Sequence, residues 1–193
     1  MRKIIVFDWV SVDGFYAGPN REIDWILQDP EIDKAAHERM NPDTLLCGRV
    51  SYQMFENVWP KVAEDPKAPK AMKKLADEMA QMTKVVFSKT LKEVTWENSE
   101  LFHGKLIEEV KKLRRRKGTD IAIFGSGTIV QQLANEGLEG LIDEYLFAIT
   151  PVVLGAGRSL FTEVEKLNLE LLETKDFKSG NVLIYYKAKK RKK

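Results

Sequence analysis

The feature that most constrains this chain is a regular alternation of short apolar runs with helical patterns. The runs cover residues 4–7, 44–47, 84–87, 121–124 and 142–149. Each has the length of a buried strand, and the sequence between them repeats as amphipathic helices do, most clearly over residues 70–81. A chain that alternates strands and helices packs its helices on a mainly parallel sheet, so we expect an α/β protein.

The last part of the chain has a different periodicity. Residues 167–177 and 182–188 alternate apolar and polar side chains, and the turn-forming sequence Ser-Gly-Asn lies between them at 179–181. This pattern predicts an antiparallel hairpin that closes the sheet. We therefore expect a single domain over residues 1–188, followed by a basic tail at 189–193.

Three further stretches predict the remaining elements. Residues 94–96 are typical of a short strand. The sequence from Gly48 predicts a helix through Phe55, followed by a connection that contains Pro60. Residues 104–117 predict an amphipathic helix with its apolar side chains on one face.

Composition argues against several functional classes. A net charge of +2 over 193 residues does not suit a nucleic-acid-binding protein, and no apolar run is long enough to span a membrane. Cys47 is the single cysteine, so an intramolecular disulfide and a paired-cysteine metal site are excluded. We expect no bound metal and a reducing, cytoplasmic setting. The tail at 189–193 is expected to be a solvated end, and contact with a polyanion is the alternative.

Glycines, hydroxyls and cations follow three of the predicted strands. In an open α/β sheet, ligands bind outside the carboxyl ends of the strands, and a helix that begins there directs free N–H groups at an anion. Cations and hydroxyl donors at such positions add charge and hydrogen bonds. The sequence thus predicts a surface for several phosphates, formed by Gly48, Arg49, Ser51, Ser88, Lys89, Gly125, Ser126, Gly127 and Thr128.

A second group of candidate residues follows the first strand. Asp13 and Gly14 lie in the loop after residues 4–7, where Asp13 is a candidate proton donor or substrate contact and an Asp-Gly turn is the alternative. Trp25 either lines an apolar slot or belongs to the core. Gly155 belongs to a stretch that forms either a pocket wall or a bend between strands. We predict Asp13 as the catalytic residue and Gly14, Trp25 and Gly155 as substrate contacts.

The order and spacing of these motifs resemble the dihydrofolate-reductase-like superfamily. More closely, the chain is similar to the group that shares the reductase domain of the bifunctional riboflavin-biosynthesis deaminase-reductase. The resemblance runs from about Lys3 to the final hairpin, and the His-x-Glu and paired cysteines of the deaminase half do not occur. It rests on SVDGF at 11–15, LLCGR at 45–49, FSKTL at 87–91, IFGSG at 123–127, Asp143 and Glu144, and Pro151, Val153, Leu154, Gly155 and Gly157.

The resemblance implies a three-layer fold around a mainly parallel sheet, NADPH as the hydride donor, and a homodimer. In the family, Gly48 and Arg49 match the helix start that holds the cofactor pyrophosphate. Ser88 and Lys89 match the loop near the adenosine 2′-phosphate. The glycine loop at 125–128 matches the loop at the phosphates and the nicotinamide.

The loop of Asp13 and Gly14 matches the family's flexible loop over the nicotinamide and the substrate. The resemblance therefore predicts an NADPH-dependent reductase of a small heterocyclic or carbonyl substrate. Such an enzyme would resemble either 5-amino-6-(5-phosphoribosylamino)uracil reductase or dihydrofolate reductase. The alternative is a non-catalytic NADP(H)-binding sensor or interaction module, which would keep the cofactor site without turnover.

Overall fold

The computed structural model describes residues 1–136 and 140–189 of the chain. Residues 190–193 of the expected tail lie outside the described residues. The strands are β1 Ile4–Ser11, β2 Phe15–Ala17, β3 Pro42–Gly48, β4 Thr83–Phe87, β5 Ser99–Phe102, β6 Asp120–Phe124, β7 Glu144–Thr150, β8 Arg158–Ser159, β9 Leu169–Asp176 and β10 Val182–Ala188. The helices are α1 Pro30–Arg39, α2 Arg49–Glu64, α3 Lys70–Gln81, α4 Leu106–Leu113 and α5 Gly127–Ala134.

Eight of the strands form one sheet in the order β5-β4-β3-β6-β1-β7-β10-β9, while β2 and β8 pair in a small separate sheet. β1 lies inside the large sheet and runs parallel to β6, where Ile4 is opposite Ile121, and to β7, where Ile5 is opposite Glu144. β10 runs antiparallel to both β7 and β9. The predicted α/β class, the mainly parallel sheet and the antiparallel hairpin at its end are therefore confirmed.

Both faces of the sheet are buried under helices. On β1, Ile4 and Val6 belong to the apolar cluster that includes residues of α4 and α5. Ile5 and Phe7 belong to a second cluster with residues of α1, and a third cluster joins β3 and β4 to α2 and α3. Successive residues of a strand point to opposite faces, so helices cover the sheet on both sides and form three layers.

The segment 94–96 is not a strand, in contrast to the sequence prediction. The Tyr52 hydroxyl of α2 accepts the backbone N–H groups of Thr95 and Trp96, at 3.1 and 2.9 Å, and the Glu56 carboxylate also accepts the Trp96 N–H. Side chains of a helix thus satisfy the backbone donors that a strand would offer to its neighbour. The following strand, β5, pairs with β4 instead.

α2 extends beyond the predicted end of the helix. It continues past Phe55 and includes Pro60 before it ends at Glu64. The proline removes one N–H···O bond, and the adjacent Trp59 packs against the apolar cluster under the helix, which offsets that loss. α2 has 16 residues, and within the described ranges no helix is both long enough and apolar enough to cross a membrane.

α4 is shorter than the predicted helix at 104–117 and ends at Leu113. The Arg114 side chain turns inward there and donates to both carboxylate oxygens of Asp143, at 2.9 and 2.8 Å. The same Asp143 carboxylate accepts the backbone N–H of Ile4 at 2.8 Å. The ion pair therefore fixes the end of α4 to the first strand, and the basic residues that follow form turns rather than another helical turn.

Lys84 of β4 is a buried cation whose ammonium lies against the end of α3. Its ammonium donates to the carbonyl oxygens of Met79 and Ala80, at 3.2 and 2.8 Å, and lies 4.3 Å from the centre of the Trp96 ring. Burial lowers the pKa of Lys84 from 10.5 to about 8. The unfolded chain therefore binds more protons than the folded protein between these two values, and stability rises with pH across that window.

We expect the substitution Lys84→Met to remove this dependence. Between pH 8 and 10.5, the free energy of unfolding of the native protein should rise relative to that of Lys84→Met. The slope should stay below about 1.4 kcal/mol per pH unit, which is the limit for one proton. Urea unfolding at a series of pH values measures the difference, with the exposed Lys67→Met as control. Identical pH profiles for the native protein and Lys84→Met would contradict the assignment.

Candidate functional site

The carboxyl ends of β1, β3, β4 and β6 open into one cleft with a volume of about 1250 Å³. One part of this cleft lies at the strand ends, beside the first turns of α2 and α5. The other part, here called the inner chamber, lies between α1 and the pair α2 and α3. All of the residues predicted to hold phosphates line the cleft: Gly48, Arg49, Ser51, Ser88, Lys89, Gly125, Ser126, Gly127 and Thr128.

Ser126 connects two of the loops that form the cleft. Its hydroxyl accepts the backbone N–H of Gly48 at 3.2 Å and donates to the Ser51 hydroxyl at 2.8 Å. Ser126 has a φ of +59° and follows Gly125, whose φ is +62°, so the loop turns sharply enough to bring the hydroxyl back to α2. The Ser126 hydroxyl is therefore used inside the protein, and the Ser51 hydroxyl keeps a donor for a ligand.

Two helices begin at the cleft without a side-chain cap. Gly48, which precedes α2, has no side chain, and the side chain of Ser126, which precedes α5, does not bond to the N–H groups of the first turn. In α5 the Ile129 N–H bonds to the Ser126 carbonyl oxygen at 2.7 Å. The earlier N–H groups of each first turn have no partner inside their helix, so both ends present donors and the positive end of a dipole. Arg49 adds an exposed positive charge at the start of α2. This arrangement suits phosphate oxygens.

The end of β4 contributes a second set of donors. The Ser88 hydroxyl accepts the N–H groups of Thr90 and Leu91, at 3.1 and 2.8 Å, which shapes a tight turn around the exposed Lys89. His103 donates from Nδ1 to the Ser88 carbonyl oxygen at 2.7 Å, and both residues line the cleft. The Lys89 ammonium is thus available to an anionic group at this end, beside the His103 ring.

Asp8, which no sequence motif singled out, lies at the base of the cleft and is 5% exposed. Its Oδ1 accepts the backbone N–H of Gly125 at 2.7 Å, and among the described residues nothing bonds to its Oδ2. Burial raises the pKa of Asp8 well above its usual range, against the smaller and opposite effect of the Gly125 N–H. The carboxyl group is therefore held towards its neutral form, which carries an O–H donor.

The inner chamber has apolar walls and one acidic edge. Phe7 and Phe124 meet edge to face at its base, with ring centres 6.0 Å apart. On α1, Asp33 lines the chamber, and burial raises its pKa to about 6. His37 lies one turn further along α1 and pairs with Glu78 of α3 at 3.1 Å. The remaining walls include Met40, Met54, Phe55, Trp59, Met72 and Leu75.

Asp13, predicted as the catalytic residue, does not line the cleft. Its exposed carboxylate accepts the Ser11 hydroxyl at 2.7 Å and the backbone N–H groups of Leu154 and Gly155, at 3.2 and 2.7 Å. The Ser11 hydrogen bond, followed by the two N–H groups, lowers the pKa of Asp13. The Asp13 carboxylate thus holds two loops together at a position outside the cleft, and its catalytic role stays a prediction.

The three predicted substrate contacts also lie away from the cleft. Gly14 and Gly155 have φ values of +89° and +72°, and both turn the chain in open space. Gly155 is held by Asp13, as described above. Trp25 donates from its indole nitrogen to the Glu22 carbonyl oxygen at 3.1 Å, and other side chains of the same loop line the cleft in its place. Their roles as substrate contacts stay predictions.

Tyr16 is a further residue of the cleft that the sequence did not indicate. It lines the cleft beside α5, where a Cβ added to Gly127 would lie 2.9 Å from the Tyr16 hydroxyl oxygen. A side chain at 127 would therefore displace the Tyr16 ring from this position. His103 is exposed, belongs to the cleft and bonds to Ser88.

Relatives of known sequence cover nearly the whole chain. The family described as RibD C-terminal domain matches residues 2–183. The uncharacterized protein YyaP of Bacillus subtilis is 38% identical over 188 residues, which cover 96% of this chain and 94% of YyaP. The uncharacterized protein YwjB of the same organism is 27% identical over 190 residues, which cover 97% of this chain and 99% of YwjB.

Solved structures share the fold described above. A putative riboflavin biosynthesis protein from Shewanella sp. PV-4 matches with a TM-score of 0.71 and 25% identity, over 97% of this chain and 99% of that one. A diaminohydroxyphosphoribosylaminopyrimidine deaminase/5-amino-6-(5-phosphoribosylamino)uracil reductase from Thermotoga maritima matches with a TM-score of 0.67 and 13% identity, over 97% of this chain and 57% of that enzyme. The second likeness concerns the fold alone. Taken with the match over residues 2–183, these findings show that the chain belongs to the RibD C-terminal domain family, the reductase group of the dihydrofolate-reductase-like superfamily.

Proposed function

We propose that this protein is an NADPH-dependent oxidoreductase that reduces a small heterocyclic or carbonyl compound. Membership of the RibD C-terminal domain family supports a reductase-like role. The observation that carries the proposal is the cleft itself, where two uncapped helix starts and the cations Arg49 and Lys89 share one cavity with the buried Asp8. An anionic ligand with a polar end group suits that set of donors.

The residues of the cleft fit a dinucleotide laid across the strand ends. Three steps between neighbouring strands separate β4 from β1, a span of about 14 Å. Lys89, Ser88 and His103 at the end of β4 would hold the 2′-phosphate. The start of α2, directly after β3, and the start of α5, directly after β6, would hold the pyrophosphate. Bound NADPH would supply the hydride, and the protein would bind and orient both reactants.

The inner chamber would receive the substrate. Its apolar and aromatic walls suit a planar ring, and Asp33 and His37 offer hydrogen bonds at one edge. Asp33, whose pKa burial raises to about 6, is partly protonated near neutral pH and can both accept and donate. The riboflavin-pathway pyrimidine, dihydrofolate and small carbonyl compounds are the candidates to screen. A homodimer and a cytoplasmic setting stay predictions.

NADPH binding by the native protein, measured by fluorescence titration with NADH as comparison, tests the proposal. We expect the substitution Lys89→Ala to weaken NADPH binding by about 1–3 kcal/mol, since it removes a charged donor from the 2′-phosphate, and to leave NADH binding nearly unchanged. Lys92→Ala is the matched control, because Lys92 is exposed and lies outside the cleft. Equal losses for NADPH and NADH would refute the assignment of Lys89, and no binding of NADPH by the native protein would refute the function.

A further inference from the structure

Asp8 has a buried carboxyl group in which one oxygen accepts a hydrogen bond and, among the described residues, the other has no partner. It belongs to β1, next to β6 in the sheet, and its Oδ1 accepts the N–H of Gly125 at 2.7 Å. Asp8 is 5% exposed, lines the cleft, and has no partner for Oδ2 among the described residues. Burying a polar atom without a hydrogen bond is costly, so this oxygen points to a ligand atom that completes the site.

The charge around Asp8 defines the kind of ligand atom. Burial is the largest influence on its pKa, the Gly125 N–H is the other, and no charged group contributes. A carboxyl group buried without a cation is held towards its neutral form and presents an O–H donor. A ligand atom that accepts this hydrogen is therefore a carbonyl or similar oxygen rather than a second donor or a cation.

The position of Asp8 selects between the two proposed ligands. Phe7 and Trp9, its neighbours on β1, point to the side of α1 and line the inner chamber. Val6 and Val10 contact the cluster that includes α5, and Asp8 shares their face of the strand. Asp8 therefore lies under the glycine loop and the start of α5, on the cofactor side of the cleft, and away from the substrate chamber.

Resting on the proposed function, we infer that Asp8 binds the nicotinamide end of the cofactor, where its carboxyl O–H donates to the carboxamide oxygen. β1 is the last strand of the span that begins at β4, so the end of the dinucleotide opposite the 2′-phosphate reaches Asp8. The same carboxyl group holds Gly125 in place. Asp8 thus links the loop that holds the phosphates to the ring that carries the hydride, and it acts as a binding and positioning residue.

Two ligands distinguish the contact of Asp8 with the carboxamide from its contact with Gly125. NADPH contains the nicotinamide, whereas 2′-phospho-ADP-ribose contains the same phosphates without it. We expect Asp8→Ala to weaken NADPH binding about 5- to 50-fold more than it weakens 2′-phospho-ADP-ribose binding, as measured by calorimetry on the full chain. Any loosening of the Gly125 loop affects both ligands alike and cancels in this ratio.

The conservative substitution Asp8→Asn should restore the NADPH binding that Asp8→Ala loses. Its side-chain oxygen can accept the Gly125 N–H, and its amide nitrogen can donate into the cleft, so NADPH affinity should stay within about threefold of the native value. Glu144→Ala is the control, because Glu144 is also a buried carboxylate, on the neighbouring strand, but lies outside the cleft. It should leave the ratio of the two affinities unchanged.

The outcomes are distinct. Equal losses of both ligands in Asp8→Ala, or no loss of either, overturn the contact between Asp8 and the carboxamide while leaving the proposed function intact. Failure of Asp8→Asn to restore NADPH binding overturns the donor role of Asp8. If the native protein binds neither NADPH nor 2′-phospho-ADP-ribose, the proposed function falls, and the inference about Asp8 falls with it.

Discussion

Replacing Tyr52 with alanine is expected to lower the free energy of unfolding by about 3–5 kcal/mol, the range for truncating a buried aromatic side chain. Tyr52 is 1% exposed and packs in the cluster that joins α2 and α3 to the sheet. Its hydroxyl also donates to Glu56 at 2.8 Å and accepts the N–H groups of Thr95 and Trp96. The substitution therefore leaves a cavity and releases the chain that leads into β5. Urea unfolding followed by circular dichroism measures the loss.

Tyr52→Phe separates packing from hydrogen bonding. It keeps the ring and removes the hydroxyl, so we expect a smaller loss of about 0.5–1.5 kcal/mol, the net contribution of a typical hydrogen bond. The Trp96 N–H keeps the Glu56 carboxylate, whereas the Thr95 N–H loses the Tyr52 hydroxyl. If Tyr52→Phe destabilised the protein as much as Tyr52→Ala does, filling the cavity would not be the main role of the ring.

Removing both exposed cations of the cleft, in the double variant Arg49→Ala/Lys89→Ala, should weaken NADPH binding by about 3–6 kcal/mol. Each hydrogen bond to a charged group contributes about 1.5–3 kcal/mol. The two residues lie on separate loops, at the start of α2 and after β4, so their contributions are expected to add. Calorimetric titration at several salt concentrations measures both the affinity and its salt dependence.

The salt dependence provides an independent check on the same double variant. Cations that contact phosphates make binding weaken as salt increases, so the affinity of the double variant should respond less to salt than that of the native protein. Lys92→Ala/Arg115→Ala is the matched control, since it removes the same charge from exposed positions outside the cleft. An unchanged salt dependence in Arg49→Ala/Lys89→Ala would show that these two cations do not contact the phosphates.

Hydrophobic periodicity was sufficient to predict most of the fold. The apolar runs identified the parallel strands, and the helix expected over 70–81 has those bounds in the structure. Periodicity failed where side chains of distant residues decide the conformation. Residues 94–96 have strand-like composition, but Tyr52 and Glu56 take up their backbone donors, and a contact across more than thirty residues leaves no local pattern.

The same distinction applies to the candidate site, where some residues follow from the sequence pattern and others depend on the fold. The residues predicted to hold phosphates line one cleft because each follows a strand end, and strand ends of a parallel sheet meet at one edge. The sequence did not indicate Asp8, because β1 continues to Ser11 and pairs with β7 beyond the apolar run at 4–7. This extension places Asp8 inside the strand at the cleft and moves Asp13 past its end, into a turn. Strand length, which composition alone does not define, decided which carboxylate faces the cavity.

The central position of β1 also has a consequence for synthesis of the chain. Its ladder partners are β6, where Ile4 pairs with Ile121, and β7, where Ile5 pairs with Glu144. At a translation rate of about 5–20 residues per second, β1 stays unpaired for at least several seconds before β6 or β7 has left the ribosome. During that time an apolar segment has an unpaired edge on each side, which favours contact with chaperones or aggregation. β1 is thus made well before both of its ladder partners and is among the last strands of this sheet to be completed.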